Sequence, residues 1–237
     1  MIINWGDAPF KAFISVTYPT GTCTVSGNGQ SYTHSGGGTT TFTVKKKGTY
    51  TVKGVDNNGV EVASNSVDIS KSNETKSVTL KYVLNIINGS TVHSVCGGLA
   101  NVGIKTNQYE QTWTPVVAYG SGYTRITNGS GWTGGSYPAG VTYTKNKIDL
   151  TGYTKFVVSG SAYGERDNSY IYCGVLSSQP TSSSCPLATY LTGNYGKKTT
   201  TLSNSSVSIS SLSGKYYLCL MRGYSPGYIT ITSIRLE

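Results

Sequence analysis

The sequence predicts an all-β protein with two successive sandwiches. Of its 237 residues, 30 are Gly and 19 are Tyr, and Ser, Thr and Asn are abundant. Thr, Val, Ile and Tyr favour strands, whereas Gly, Asn and Ser favour turns. Apolar and polar residues alternate along most of the chain, which is the pattern of half-buried strands. This length allows one large domain or two ordinary ones.

Residues 1–12 are predicted to form a short arm before the first strand. Trp5 and Phe10 flank the turn-like segment Gly6-Asp7-Ala8-Pro9. Two large aromatic side chains on so short a segment either fold onto their own domain or dock on a neighbouring molecule.

Residues 13–83 are predicted to form a small sandwich. About seven short strands alternate in hydrophobicity between Ile14 and Tyr82, with turn signals between them. The strongest turn signal is Asp56-Asn57-Asn58-Gly59, because Asn and Gly tolerate positive φ. This number and spacing of strands predict an immunoglobulin-like sandwich. Residues 84–93 are predicted to continue the last strand into a linker.

Residues 94–237 are predicted to form a second, larger β domain. Its periodicity is weak up to about residue 147 and clear afterwards, for example in Phe156–Val158 and Ile229–Ile231. The chain is still in strand pattern at Ile234–Leu236. A closing strand of this kind is typical of a jelly-roll sandwich.

The charge pattern argues against specific nucleic-acid binding. The net charge of +9 comes from 19 basic and 10 acidic residues, and it is spread thinly apart from Lys45–Lys47. Nucleic-acid binding needs a basic stripe with interleaved aromatics or a known motif, and neither is present. A cationic protein of this kind instead favours acidic surfaces, such as phosphate-bearing cell-wall polymers.

The cysteines and the N-terminal residues indicate in which cellular compartment the protein is made. Five cysteines, an odd number without a C-x-x-C pair, predict no zinc or redox site. Cys173 and Cys185 either bridge one loop or stay reduced. The first residues have neither a basic nor an apolar region of a signal peptide, and no stretch is apolar enough to insert into a membrane.

No pattern of catalytic residues emerges. Glycoside hydrolysis needs two nearby carboxylates, and the closest pair in sequence is Glu165 and Asp167. Arg166 between them would hold both ionised, which suits a solvated loop and not a general acid. We therefore predict no enzymatic activity, no catalytic residue, no metal site and no cofactor.

Aromatic side chains suited to sugar binding are concentrated in the second module. Sandwich proteins recognise sugars with exposed aromatic rings and neighbouring polar groups. The predicted ligand-binding residues are Trp113, Tyr119, Tyr123, Arg125, Trp132, Tyr137, Tyr163 and Tyr224. The alternative for Trp113 and Trp132 is that they anchor the core, since Trp is highly buried on average.

Several motifs of strand and turn residues resemble those of known surface modules. In the first half they are Val16–Val25, Phe42–Val44, Gly48–Val52 and Ser77–Tyr82; in the second half they are Lys147–Lys155, Val207–Tyr217 and Tyr228–Leu236. They resemble modules of tail and other virion-surface proteins of bacteriophages that infect Gram-positive bacteria. The second set is similar to their jelly-roll, galactose-binding-like modules.

This resemblance implies a structural protein on the virion surface, either a capsid decoration or a tail accessory protein. It would be made in the host cytoplasm without a signal peptide, and its partners would be other virion proteins and further copies of itself. We expect Trp5 and Phe10 to attach it to the particle, while the outer module binds bacterial surface glycan weakly. The alternatives are a purely structural decoration protein and, third, a polysaccharide-degrading enzyme.

Overall fold

The computed structural model describes residues 8–106, 109–127, 140–164, 168–181, 189–195, 199–222 and 227–237. These residues are mostly β-strand, with one short 3-10 helix at Ser94–Cys96 and no α-helix among them. The predicted all-β class is therefore confirmed. The chain divides into two compact units, residues 1–83 and 84–237.

The first unit is a sandwich of a three-stranded and a four-stranded sheet. Its strands are β1 (Ala12–Tyr18), β2 (Thr22–Gly27), β3 (Gln30–Ser35), β4 (Gly38–Val44), β5 (Gly48–Val55), β6 (Glu61–Ile69) and β7 (Thr75–Thr79). The sheet orders are β4-β1-β7 and β3-β2-β5-β6. Strands β1 and β7 are parallel, and the other pairs in this unit are antiparallel. Seven short strands in two sheets match the predicted immunoglobulin-like sandwich.

The core of the first unit is formed by apolar residues that alternate with polar residues along the strands. Ile14, Val16 and Val25 are fully buried because they occupy every second position of β1 and β2. The Tyr82 ring is also buried, and its hydroxyl donates a hydrogen bond to the carbonyl oxygen of Thr20 at 2.5 Å. Gly54 makes room for this ring, since a Cβ there would lie 2.8 Å from a Tyr82 ring carbon.

The second unit is a larger sandwich of two seven-stranded sheets. Its strands are β8 (Leu84–Asn88), β9 (Thr91–Val92), β10 (Leu99–Thr106), β11 (Tyr109–Trp113), β12 (Val116–Gly120), β13 (Tyr123–Thr127), β14 (Gly140–Thr144), β15 (Ile148–Asp149), β16 (Lys155–Gly164), β17 (Asn168–Leu176), β18 (Thr189–Tyr195), β19 (Thr199–Ser208), β20 (Lys215–Arg222) and β21 (Gly227–Leu236). Sheet I has the order β11-β10-β14-β20-β17-β18, with β15 beside β20. Sheet II has the order β12-β13-β21-β16-β19, with β8 beside β21 and β9 beside β8.

The structure differs from the predicted linker at residues 84–93. Residues 84–88 form β8, which pairs antiparallel with the closing strand β21. Leu84, Ile86 and Ile87 are buried, so this segment contributes to the core of the second unit. Gly89, within the predicted linker, lies in the turn between β8 and β9 with a φ of 60°.

A β-bulge changes the register between β16 and β21, because Ser159 pairs with Ser233 and Gly160 with Ile231, which leaves Thr232 of β21 as the extra residue. Before the bulge Ile229 and Ile231 of β21 are buried, and after it Ile234 and Leu236 are buried. A side chain at Gly160 could not be accommodated without movement, because its Cβ would lie 2.2 Å from the carbonyl oxygen of Thr230. The bulge therefore keeps apolar residues on the inner face along the whole of β21.

The described cysteines are structural. Cys23, Cys96, Cys173 and Cys219 are buried, reduced thiols. Burial raises the pKa of Cys23 to about 11 and that of Cys96 to about 12, and it also raises the pKa of Cys173. A raised pKa leaves little reactive thiolate at neutral pH. Cys185, the predicted alternative partner of Cys173, lies outside the described residues.

Candidate functional site

One face of sheet II is turned away from the core of the second unit. On β13, Thr124 and Ile126 are buried, so Tyr123 and Arg125 point to the opposite side of the sheet. The neighbouring strand β21 repeats this pattern, since Ile229 and Ile231 are fully buried. We call the side of the sheet that carries Arg125 the outer face of sheet II.

Strand register aligns the residues of the outer face in two rows across five strands. The first row is Ala118, Arg125, Thr230, Ser161 and Thr201. The second row is Val116, Thr127, Tyr228, Tyr163 and Thr199. Four residues at the two ends of these rows, Val116, Ala118, Thr199 and Thr201, are exposed. The rows combine aromatic rings with small and hydroxyl side chains, and Arg125 is their one charged member.

Four residues of this face form a tyrosine–arginine cluster, which comprises Tyr123, Arg125, Tyr163 and Tyr228. The guanidinium carbon of Arg125 lies 5.0 Å from the ring centre of Tyr123 and 4.4 Å from that of Tyr228. The Tyr228 ring stacks on the Tyr163 ring, with centres 5.2 Å apart and planes at 27°. All four residues are partly exposed.

The register explains why the cluster forms. Tyr123 precedes Arg125 by two positions on β13 and therefore lies on the same face. Tyr228 is opposite Thr127, so it is the diagonal neighbour of Arg125 across the strand pair, within reach of a long side chain. Tyr163 on β16 is directly opposite Tyr228, which brings their rings together.

The charge of Arg125 is not matched by an acidic group in the described part of the chain. Its Nε atom is buried and is the one such side-chain nitrogen or oxygen, among the described residues, without a hydrogen-bond partner. Arg235 differs, since its Nε donates to Glu237 at 2.6 Å and its Nη1 donates to Asn204 at 2.9 Å. Arg125 thus contacts two aromatic rings, and its buried Nε–H donates no hydrogen bond to a described residue.

This arrangement suits a ligand with apolar faces and many polar edges. Tyrosine rings provide flat apolar area on which a sugar ring can stack, and their hydroxyls stay polar. Arginine donates several hydrogen bonds in a fixed planar geometry. The threonine and serine hydroxyls along the two rows supply further donors and acceptors.

The structure brings three of the eight predicted ligand-binding residues together, namely Tyr123, Arg125 and Tyr163. Tyr119 is 54% exposed but pairs with buried Thr124, so its position is on the other face of β12. Trp113 ends β11 in sheet I, and its side chain lies outside the described residues. Trp132, Tyr137 and Tyr224 also lie outside them.

Sequence reasoning missed Tyr228 as a site residue. The closing motif Tyr228–Leu236 predicts only a strand at this position. Its signal was nevertheless present, because Tyr228 and Thr230 alternate with the apolar Ile229 and Ile231. An aromatic residue on the polar side of an alternating strand is expected on the outer face.

Other predicted features do not form a chemical site in the described part of the chain. No group of three or more His, Cys, Asp or Glu residues there could hold a metal ion. The Asp56 carboxylate accepts hydrogen bonds from the backbone of Asn58 and Val60, both at 2.9 Å, as expected in a tight turn.

Glu165 and Asp167, the predicted carboxylate pair, lie outside the described residues, as does Trp5 of the predicted attachment segment. Phe10, its other member, is partly buried just before β1.

A cavity lined by both apolar and polar residues lies elsewhere in the second unit. It has a volume of about 220 Å³ and is lined by Phe156, Val175, Val207 and Leu212, among others. Phe156 is near the start of β16, whereas Tyr163 is near its end, so the cavity and the cluster occupy different parts of this strand. No lining residue is charged.

Within the described residues, no helix has the length and apolar character needed to span a membrane.

Neither a protein-family model nor a curated protein matches the chain. A solved structure from Bacteroides uniformis, provisionally described as a carbohydrate-binding protein, aligns with 92% of this chain and 97% of its own at 10% identity, with a TM-score of 0.23. A similarity this low supports no inference about fold or ligand.

Proposed function

We propose that this protein is a non-catalytic glycan-binding protein whose second unit contacts sugars through the outer face of sheet II. The observation that carries this proposal is the tyrosine–arginine cluster, in which Arg125 contacts two tyrosine rings and a third ring stacks on one of them. Rings of this kind offer apolar stacking area, and the guanidinium offers directional hydrogen bonds.

The position of the cluster on a sheet face favours an extended polymer over a small molecule. Small-molecule sites are usually concave and bury most of the ligand. The cluster instead lies on a sheet face whose row ends carry short, exposed side chains such as Ala118 and Thr201. A polymer lying across these strands would contact the rings and the hydroxyl groups together.

The proposed location is the surface of a bacteriophage particle, on either the capsid or the tail. Its support is the resemblance of the strand and turn motifs to virion-surface modules. Weak binding at a single cluster becomes effective when many copies act together, which a particle surface would provide. In this proposal Trp5 and Phe10 belong to the segment that attaches the protein to the particle.

The test compares two tyrosine variants against a panel of bacterial surface polysaccharides. Tyr228→Ala removes the ring that contacts both Arg125 and Tyr163, so we expect binding to weaken by about 1–2 kcal/mol, or roughly five- to thirtyfold. Tyr119→Ala removes a more exposed tyrosine from the opposite face of the same sheet and should leave the affinity unchanged. Binding is measured by biolayer interferometry.

Three results would contradict the proposal. Equal losses of affinity in the two variants would show that binding does not depend on the outer face of sheet II. Absence of binding by the unmodified protein to every polysaccharide would leave the purely structural decoration protein as the better account. Reducing ends are assayed in the same incubations, and their release would overturn the non-catalytic assignment.

A further inference from the structure

We infer that the tyrosine–arginine cluster selects acidic glycans, with the Arg125 guanidinium binding a carboxylate or phosphate group on the polymer. This inference rests on the proposed glycan-binding function and specifies its ligand class.

The first step concerns the charge of Arg125. In the described part of the chain, ion pairs join Lys53 to Glu61, Lys76 to Glu74 and Arg235 to Glu237, whereas Arg125 has no ion-pair partner there. Its contacts are instead with the rings of Tyr123 and Tyr228. These rings displace water from the guanidinium but bring no negative charge to it.

The second step concerns hydrogen bonding. The Nε atom of Arg125 is buried without a hydrogen-bond partner, which is unfavourable for a charged donor. The residue as a whole is partly exposed, so a ligand can contact Arg125 although the Nε atom itself is buried. A bound anion would provide acceptor oxygens and a compensating charge at the same time, whereas a neutral hydroxyl would provide only the former.

The third step concerns geometry. Two rings flanking the guanidinium restrict its motion, so less conformational entropy is lost when a ligand binds. Both rings lie within about 5 Å of the guanidinium carbon, and a ligand anion would bind through the N–H edge of the group. That edge bonds the two oxygens of a carboxylate or a phosphate group in parallel.

The fourth step concerns the surroundings. None of the other nine residues in the two rows of the outer face is charged, so no acidic side chain of the rows would repel an anion. The net charge of +9 attracts acidic polymers at longer range. The cluster would then give this general attraction a specific contact.

The experiment measures the affinity for three polymers: polygalacturonate as the carboxylate probe, a wall teichoic acid as the phosphate probe, and a neutral galactan. The unmodified protein should bind at least one acidic polymer roughly tenfold more tightly than galactan. Arg125→Gln should abolish this preference while retaining the weak binding to galactan. Arg125→Lys should retain a salt-sensitive part of the preference, because it keeps the charge but loses the planar pair of donors.

Lys147→Gln is the matched control. Lys147 also lies over a tyrosine ring, with its Nζ 5.6 Å from the centre of Tyr217, but that ring belongs to β20 of sheet I. The substitution removes the same charge and should leave the acidic preference intact. Melting temperatures of all variants verify that they fold.

The outcomes separate this inference from the function on which it rests. Binding of the unmodified protein to galactan with equal affinity, or an acidic preference that persists in Arg125→Gln, would overturn the inference and leave glycan binding standing. Failure to bind any of the three polymers or any surface polysaccharide would overturn both. A preference for only one acidic polymer supports the inference and identifies the anion.

Discussion

Arg125 is held by tyrosines that come from distant parts of the chain, Tyr123 on its own strand and Tyr228 on the closing strand. Each cation–π contact contributes about 0.5–2 kcal/mol, with larger values where water is excluded. Ordering an arginine side chain costs about 2 kcal/mol, which two such contacts can offset. The guanidinium is therefore positioned before any ligand arrives.

At the residue scale, the sequence predicted part of the cluster and missed part of it. Tyr123 and Arg125 are two positions apart in an alternating segment, so a shared face follows from local periodicity. Their meeting with Tyr228 depends on the pairing of β13 with β21, a contact that no local pattern encodes. Tyr119 is predicted to bind ligand because it is aromatic. Its register puts it on the other face of the sheet, away from the cluster.

At the element scale, the bulge in β21 opposite Gly160 determines how the outer face is built. Gly160 is where the pairing of β16 with β21 shifts, between the inner residues Ile231 and Ile234. Ser161 and Tyr163, which follow the bulge, belong to the two rows that contain Arg125 and Tyr228. The position of the bulge thus determines that Tyr228 and Thr230 of β21 share the outer face with these β16 side chains.

Gly160→Ala should destabilise the second unit. The added Cβ would lie 2.2 Å from the Thr230 carbonyl oxygen, so the backbones of β16 and β21 must move apart. We expect a loss of roughly 1–3 kcal/mol in the free energy of unfolding, as for other overpacked sites. Urea denaturation followed by circular dichroism measures it.

Gly214→Ala is the control for this prediction. Gly214 has a φ of +88°, but a Cβ there meets no atom within 4 Å, so the substitution adds backbone strain without a clash. Its loss of stability should be the smaller of the two. Equal or larger destabilisation by Gly214→Ala would contradict the role assigned to the close contact at Gly160.

Strand β8 is the element that the sequence placed least well. Residues 84–93 follow the last predicted strand of the first sandwich and are therefore expected to form a linker, although Leu84 and Ile86 alternate with the polar Asn85. Whether such a segment becomes a strand depends on whether a partner edge is available. Here β21 offers that edge, and pairing with it buries Leu84, Ile86 and Ile87.

At the scale of the whole molecule, the buried cysteines report on the two units separately. Cys23 belongs to the first unit, and Cys96, Cys173 and Cys219 belong to the second. Burial and raised pKa values keep the native thiols of Cys23 and Cys96 unreactive, so labelling requires unfolding of the surrounding structure. Each thiol should therefore follow the stability of its own unit.

Gly160→Ala should shift the labelling of the second unit alone. Pulsed alkylation along a urea gradient, read by mass spectrometry, should give lower midpoints for Cys96, Cys173 and Cys219 than in the unmodified protein. The midpoint for Cys23 should not change, because each unit has its own buried core. A parallel shift of Cys23 would mean that the two units unfold as one.

The measurement that tests the central claim most directly is a nuclear magnetic resonance titration of the arginine Nε–H signals with oligosaccharides from a bound polysaccharide. The Arg125 signal, assigned by its loss in Arg125→Gln, should shift progressively as the glycan is added. The Arg235 signal should stay in place, because its Nε already donates to Glu237 at 2.6 Å. Saturable binding with an unmoved Arg125 signal would contradict glycan recognition by the tyrosine–arginine cluster.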